Sequence, residues 1–291
     1  MDKPWAPPTA EFAGVESLTG RGGVALHTWT DGPRGGCVVW FVLGLEAPTL
    51  PPYPGLTRAL HDAGFATAGM HARGTGLSGG PRGDIANLAL VLSDYRLYLE
   101  HLGRSFSRIF LLGQSAGAAF ALEVAAAPSA PLAGLVLVNP AWRLAHTRGM
   151  GPTLSDYVRY ARDYLFRRTV PTVDMNAAPG AIAFAPDREE ANAMQRDPAV
   201  VRWFSLRALL ASRRVMRRCG SNITEVRAPL LLVQGAHDAL VDPSSYDALL
   251  HLARVADKGR IVAAEGGHGS SAVETMVEPI VGWLVAHASP G

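Results

Sequence analysis

Gly113-Gln114-Ser115-Ala116-Gly117 sets a serine between two glycines, after the apolar run Ile109–Leu112 and ahead of the helix-forming run Ala116–Ala126. A serine on such a sharp strand-to-helix turn has a strained backbone and an exposed Oγ. The helix that starts there aims its unpaired amides at any oxyanion formed beside the serine. The chemistry this suits is acyl transfer, with Oγ adding to a carbonyl carbon. A serine hydroxyl keeps its proton at neutral pH, so a base must take it as the bond forms. The base needs a carboxylate behind it to fix its tautomer.

Both partners stand just past apolar runs. Asp238 follows Leu230–Val233 in Gln234-Gly235-Ala236-His237-Asp238, and His268 follows the run near Ile261 in Glu265-Gly266-Gly267-His268-Gly269. The order Ser, Asp, His is the one expected of a serine on this kind of turn. The chain has nine histidines, and His237 is the competitor. It adjoins Asp238 and cannot easily also receive that residue's hydrogen bond. Asp242, a rival acid, precedes Pro243 and reads as a helix cap. For the oxyanion, one donor is expected from the Ala116 amide and another from the Leu45 amide, in the loop after the Cys37–Leu43 run. Gly44, Gln114, Trp142, Tyr157, Tyr160, Tyr164 and Trp203 are the candidate substrate contacts. No metal or organic cofactor is implied.

Positioning these groups requires a sheet. Short apolar runs alternate with helical patterns, which points to an α/β fold with a parallel sheet covered on both faces. Strands are expected at Val24–Thr30, Cys37–Leu43, Phe65–Met70, Arg108–Leu112, Gly134–Val138, Leu230–Val233 and Arg260–Ala263. Helices are expected at Gly55–Ala63, from an Asp84 cap to about His101, at Ala116–Ala126, Ser244–Ala253 and Val273–Ala286. The rhythm breaks between about Ala141 and Val226, where two or three helices and no clear strand are expected. Tyr157, Tyr160 and Tyr164 recur at i, i+3 and i+7 there, the ordinary buried pattern of a helix, though they also suit a substrate-facing wall. The division expected is a core over 1–142 and 223–291, interrupted by a helical lid over 143–222.

Composition narrows the function. The 291 residues are 48% hydrophobic and 18% charged, enough for a large core and too apolar for a disordered chain. The net charge of +2 supplies no global field for nucleic acid. It averages unlike parts: Arg143 to Asn222 holds 14 arginines and 7 acids, while the remainder holds 13 basic and 18 acidic residues. Cys37 and Cys219 are too few for a disulfide framework and lack metal-ligand spacing; Cys37 reads as a small buried hydrophobe. Met1 to Thr9 carries Pro4, Pro7 and Pro8 without an apolar h-region, so no signal peptide is expected. The longest apolar stretch, Cys37 to Leu45, is nine residues, far short of a membrane span. A cytoplasmic protein is the expectation.

One motif is misleading. Gly74-Thr75-Gly76-Leu77-Ser78-Gly79 satisfies G-x-G-x-x-G, with Asp94 twenty residues on. A dinucleotide site needs a helix beginning within those glycines, and Gly79-Gly80-Pro81-Arg82-Gly83 breaks any helix. A loop packed beside the active site is the expected role.

The residues together resemble an α/β-hydrolase fold serine hydrolase with a lid, similar to the branch of monoacylglycerol lipases, lysophospholipases and related esterases. The likeness covers about residues 20–142 and 226–287. It rests on the elbow at Ser115, on His71-Ala72-Arg73-Gly74-Thr75-Gly76-Leu77-Ser78, and on Leu231-Leu232-Val233-Gln234-Gly235-x-x-Asp238. Leu43-Gly44 stands where the family usually has His-Gly, and His71 stands for its Asp. The resemblance implies a small-molecule acyl ester as substrate, lipid-like or small and apolar. The basic lid raises an alternative: a thioesterase, acyltransferase or cyclase meeting a carrier-protein or coenzyme A thioester. A non-catalytic ligand-binding relative is a third reading. The exposed arginines expected at 213, 214, 217 and 218 read first as a solvated helix face.

Overall fold

The computed structural model describes residues 15–44, 52–145, 154–174 and 196–289. Their elements are β1 (Val15–Gly20), β2 (Val24–Asp31), β3 (Gly35–Val42), α1 (Pro54–Asp62), β4 (Ala66–Met70), α2 (Leu88–Ser105), β5 (Phe106–Gln114), α3 (Ala116–Ala126) and β6 (Gly134–Val138). Then come α4 (Leu154–Phe166), β7 (Pro171–Asp174), β8 (Trp203–Ser205), α5 (Leu206–Arg217) and α6 (Cys219–Asn222). β9 (Leu230–Gly235), α7 (Ser244–Leu252), β10 (Lys258–Ala263), α8 (Ser271–Glu274) and α9 (Val277–Ala286) complete the described chain.

Eight strands form one sheet in the order β1-β2-β4-β3-β5-β6-β9-β10. β1 and β2 are antiparallel to their neighbours, and the pairs from β4 through β10 are parallel. This is the mostly parallel α/β-hydrolase architecture that the motifs imply. Alternation along the strands explains its two cores. Val38, Trp40 and Val42 of β3 point to the cluster with Tyr95, Tyr98 and Leu99 of α2 and Phe120 of α3. Val39 and Phe41 point the other way, to Leu56 and Leu60 of α1 and Ile280 and Leu284 of α9. Both faces are buried, so β3 reads as a continuous apolar run. The parallel strands put their carboxyl ends along one edge, where ligand sites of open α/β sheets form.

Several local expectations are corrected. Asp84 does not cap α2; the cap is Asn87, whose side chain accepts the Ala89 amide. The span expected as one helix over Val273–Ala286 divides into α8 and α9. Pro279 has no N–H to give Thr275, and its ring would crowd that carbonyl in a continuous helix. Between β6 and β9 the chain does contain strands: β7 and β8 pair as an antiparallel ribbon. In sequence β8 is only Trp203-Phe204-Ser205, too short for alternation to show. β1, also unanticipated, alternates without a strongly apolar face. Cys37 is only partly buried, whereas Cys219 is buried.

The segment after β6 is rooted in the body. Ala208 and Val215 of α5, Cys219 and Ile223 join the cluster that holds Leu111 and Phe120. Arg218 Nη1 reaches Glu123 Oε1 of α3 at 3.0 Å. The Gly74–Asp84 loop makes the second anchor. Arg82 donates to the carbonyls of Pro198 and Ala199, and Ser205 N donates to Gly83 O at 2.8 Å. Asp84 accepts Ser205 Oγ at 2.5 Å and Arg207 Nε at 2.6 Å, with Arg207 Nη2 on its other oxygen. Asp94 is likewise explained: it pairs with Arg73 through Nε and Nη2 at 2.6 and 2.8 Å.

Burial pushes the Asp84 carboxyl up, but the hydrogen bonds from Arg207 and Ser205 outweigh it and hold it below the usual carboxylate range. Its folded value is depressed, so its stabilisation is present above the unfolded value and is lost as pH falls through the folded one. Asp84→Ala removes the acceptor of Ser205 Oγ and of Arg207, whose side chain is 30% exposed and can turn to water. It should lower unfolding stability at neutral pH by about 1–3 kcal/mol, read by urea denaturation. An unchanged midpoint would remove this pair as an anchor.

Candidate active site

Ser115 sits between β5 and α3 with φ 52° and ψ −120°. A non-glycine residue there is strained by roughly 1–3 kcal/mol, a cost met by the packing around the turn. The glycines at 113 and 117 make that packing fit. A Cβ on Gly113 would meet Gly117 O at 2.6 Å and Ala118 Cα at 2.8 Å, and one on Gly117 would overlap Val42 O. Gly117→Ala should therefore destabilise the fold by about 1–3 kcal/mol through overpacking. Thermal or urea unfolding checks this, and wild-type stability would contradict the close crossing.

His268 lies in the loop between β10 and α8, and Asp238 lies beyond β9. The structure brings both to Ser115. His268 Nε2 is 2.8 Å from Ser115 Oγ, and His268 Nδ1 is 2.9 Å from Asp238 Oδ2. A carboxylate only accepts, so Nδ1 carries the proton and Nε2 is free to accept from the serine hydroxyl. The His268 and Asp238 side chains are 4% and 2% exposed, while Ser115 is partly open. Asp238 Oδ1 accepts the amides of Leu240 and Val241 at 2.8 and 3.1 Å, so both its oxygens are held. The rival His237 is exposed, and its amide bonds Gly266 O at 2.9 Å. Asp242 accepts the Ser244 amide at the entry to α7.

Ala116 is the first residue of α3, so its amide has no partner within the helix. Gly44 lies against this turn: a Cβ there would stand 3.1 Å from Gly117 N and 3.2 Å from Ala116 Cβ. Leu45 lies outside the described residues. The carbonyl of Leu43, just before Gly44, is held at 2.7 Å by the hydroxyl of Tyr95.

The candidate substrate contacts scatter. Gln114 does not offer a free side chain: its Nε2 donates to His268 O and Gly269 O, and its Oε1 accepts from Tyr53. Trp142 packs against Gly220 of α6 with the Arg143 guanidinium 4.2 Å above its ring. Tyr160 is partly buried, Tyr164 is 51% exposed and Trp203 is 46% exposed. The side chain of Tyr157 lies outside the described residues. The tyrosine stripe is thus not the buried face of α4 at Tyr164. Among the α4 residues whose side chains are described, the buried one is Asp163, whose carboxyl accepts from Thr172 and Arg162. Periodicity marked the aromatic residues, but the ribbon's hydroxyl turned the neighbouring acid inward.

Asn139, Tyr53 and Tyr246 were not expected. Asn139 follows β6 with φ 43° and is fully buried. Its Oδ1 accepts Gly235 N and Tyr246 Oη at 2.8 and 2.9 Å, and its Nδ2 donates to Gly267 O and His268 O. The signal available in sequence was an asparagine, a residue that tolerates positive φ, directly after a buried strand.

Comparisons with known proteins bear on the family and the fold. Residues 49–272, well over half of the chain, match the hydrolase family described as serine aminopeptidase, S33. Human monoglyceride lipase is 25% identical over 192 residues, covering 64% of this chain and 60% of that protein. The match thus spans less than two thirds of that relative. Among solved structures, monoacylglycerol lipase from Paleococcus ferrophilus aligns with a TM-score of 0.66 and 23% identity, covering 89% of this chain and 99% of that one. A soluble variant of monoglyceride lipase from Saccharomyces cerevisiae, in complex with a substrate analog, aligns with a TM-score of 0.72 and 16% identity, covering 99% and 100%. With the sheet order, the strained serine turn and the family match in agreement, the chain belongs to the serine aminopeptidase S33 family, on the α/β-hydrolase fold.

Proposed function

We propose that this protein hydrolyses carboxylic esters through an acyl-enzyme on Ser115. The observation that carries the reading is the hydrogen-bonded line Ser115–His268–Asp238, 2.8 and 2.9 Å long, on a strained strand-to-helix turn. Ser115 Oγ adds to the ester carbonyl as its proton passes to His268 Nε2. Asp238 stabilises the imidazolium without taking the proton. The Ala116 amide, with Leu45 as the second donor, receives the oxyanion. His268 then protonates the departing alkoxide, which leaves as an alcohol. Water attacks the acyl-serine with His268 as base, releasing the acid and restoring the hydroxyl.

The substrate class is a lipid-like or small apolar ester. Two monoglyceride lipases and a monoacylglycerol lipase among the similar proteins support it. So does α4, which turns Val158, Leu165 and Phe166 outward at 64%, 70% and 79% exposure. Residues 143–222 act as a lid, rooted by Asp84–Arg207 and Glu123–Arg218. No helix among the described residues is long and apolar enough to cross a membrane. A thioester on an anionic carrier is the second reading, favoured by Arg213, Arg214 and Arg217, exposed along α5.

A matched panel separates the readings: a medium-chain glycerol monoester, the same acyl group as a p-nitrophenyl ester and as a coenzyme A thioester, and an aminoacyl p-nitroanilide. The glycerol and p-nitrophenyl esters should show the highest kcat/KM. A coenzyme A thioester leading by tenfold or more would give the second reading priority, and an anilide leading would overturn the ester assignment.

A further inference from the structure

We propose that Gln114 and Asn139 form a paired amide clamp that positions His268 for proton transfer. This rests on the acyl-transfer reading of Ser115. The loop that carries His268 offers three consecutive carbonyls to two side-chain amides. Asn139 Nδ2 donates to Gly267 O at 2.8 Å and to His268 O at 3.2 Å. Gln114 Nε2 donates to His268 O at 2.8 Å and to Gly269 O at 2.5 Å. The carbonyl of the base itself is therefore shared between them.

Each amide is oriented from behind by a tyrosine. Tyr53 Oη donates to Gln114 Oε1, and Tyr246 Oη donates to Asn139 Oδ1 at 2.9 Å. Carbonyl oxygens cannot donate, so the nitrogen of each amide must face the loop and the oxygen must face the phenol. Burial raises the Tyr246 hydroxyl far above its ordinary value, which keeps it a donor.

The clamp joins the parts that must meet. Gln114 is bonded directly to the nucleophile's residue. Asn139 reaches the acid's loop through Gly235 N, three positions before Asp238. Ser115 itself is tied alongside, its amide to Val138 O at 2.9 Å and its carbonyl to Ala141 N at 3.2 Å. A loop of Gly266-Gly267-His268-Gly269 has little stiffness of its own. The two amides supply it, holding Nε2 at hydrogen-bond distance from Oγ. They are positioning residues, because they act through the His268 backbone.

The test replaces each two-donor NH₂ group by a carboxyl oxygen, which repels the carbonyls when ionised and offers at most one donor when protonated, and keeps the acceptors. Asn139→Asp retains the oxygen that receives Gly235 N and Tyr246 Oη, and aspartate tolerates the positive φ. Gln114→Glu retains the oxygen that receives Tyr53 Oη. In each variant a carboxyl faces the loop carbonyls where an NH₂ group stood. A misplacement of the base by an ångström costs on the order of 100-fold. Each variant should lose roughly 10- to 100-fold in kcat, with KM for the p-nitrophenyl ester within about threefold, since neither side chain reaches the substrate in this role. A fluorophosphonate should still label nearly every folded molecule, more slowly in step with kcat. If kcat per labelled site stays at the wild-type value in both variants, the amides are merely structural and the proposal is overturned. Should Asn139→Asp fail to fold, Gln114→Glu alone decides. Ser115→Ala run alongside separates the two claims: activity surviving in it sinks the nucleophile reading, whereas wild-type kcat in the clamp variants sinks only the clamp.

Discussion

Ser115→Ala should lower kcat by about 10⁶-fold, the scale at which loss of a triad nucleophile is felt. The substitution removes only Oγ, and alanine is the smallest change at a position where φ is 52°. The proposed oxyanion donor at Ala116 is untouched, so a residual rate of roughly 10³–10⁴ over water is expected from it and from substrate binding. KM should change little, because Oγ contributes to the transition state far more than to ground-state binding. Steady-state kinetics on the p-nitrophenyl ester reads this directly. A variant retaining more than a few per cent of wild-type kcat would place the nucleophile elsewhere.

Asp238→Asn should cost about 10⁴-fold in kcat, with the fold intact. An asparagine oxygen can still receive the amides of Leu240 and Val241, which now lie 2.8 and 3.1 Å from Oδ1. Its amide group would face His268 Nδ1, where a carboxylate oxygen stands at 2.9 Å. An NH₂ there donates to Nδ1 and drives the ring proton to Nε2, the nitrogen that must accept from Ser115. The base is then in the wrong tautomer although nothing has moved. The contrast with His237→Asn is informative. That side chain is exposed and outside the array, so activity should stay within about twofold, as for an ordinary surface change. Equal losses in the two variants would contradict the assignment of His268 over His237.

Both predictions depend on groups that sequence could reveal because each sits one loop beyond a buried strand. β5, β6 and β9 are apolar on both faces, so their ends could be read to within a few residues from Ile109–Leu112, Gly134–Val138 and Leu230–Val233. Ser115 and Asp238 followed from the ends of β5 and β9, and His268, beyond the largely exposed strand β10, followed from the Ser, Asp, His order and its glycine-flanked loop. What escaped detection depended on contacts between distant segments. Asp84 has the chemistry of a helix cap and precedes an apolar stripe, yet Ser205 and Arg207, more than a hundred residues away, claim its carboxylate. Gln114 flanks the nucleophile, which made a substrate contact the natural expectation, but its amide is spent on His268 and Gly269. Asn139 had only the weak signal of an asparagine directly after a buried strand; its role exists only where β6, the acid loop and the histidine loop meet. The stripe of Tyr157, Tyr160 and Tyr164 shows the converse. Helical spacing correctly indicated α4, but the spacing cannot say which side of a partly exposed helix faces inward.

The charge separation also has a structural reading. The excess of arginine after residue 142 serves in part as attachment. Arg207 and Arg218 pair with Asp84 and Glu123 of the body, and Arg202 pairs with Asp174 across the ribbon. Two of the acids that pair with those arginines, Asp84 and Glu123, belong to the body and contribute to the opposite signs of the two parts.

Activation of the Ser115 hydroxyl by His268 is the central step of the proposed reaction. A fluorophosphonate probe followed by mass spectrometry of the folded protein tests it directly. One adduct per chain is expected, on Ser115, with the rate of labelling falling by orders of magnitude in His268→Ala. No adduct on folded wild-type protein, or an adduct on another residue, would contradict it.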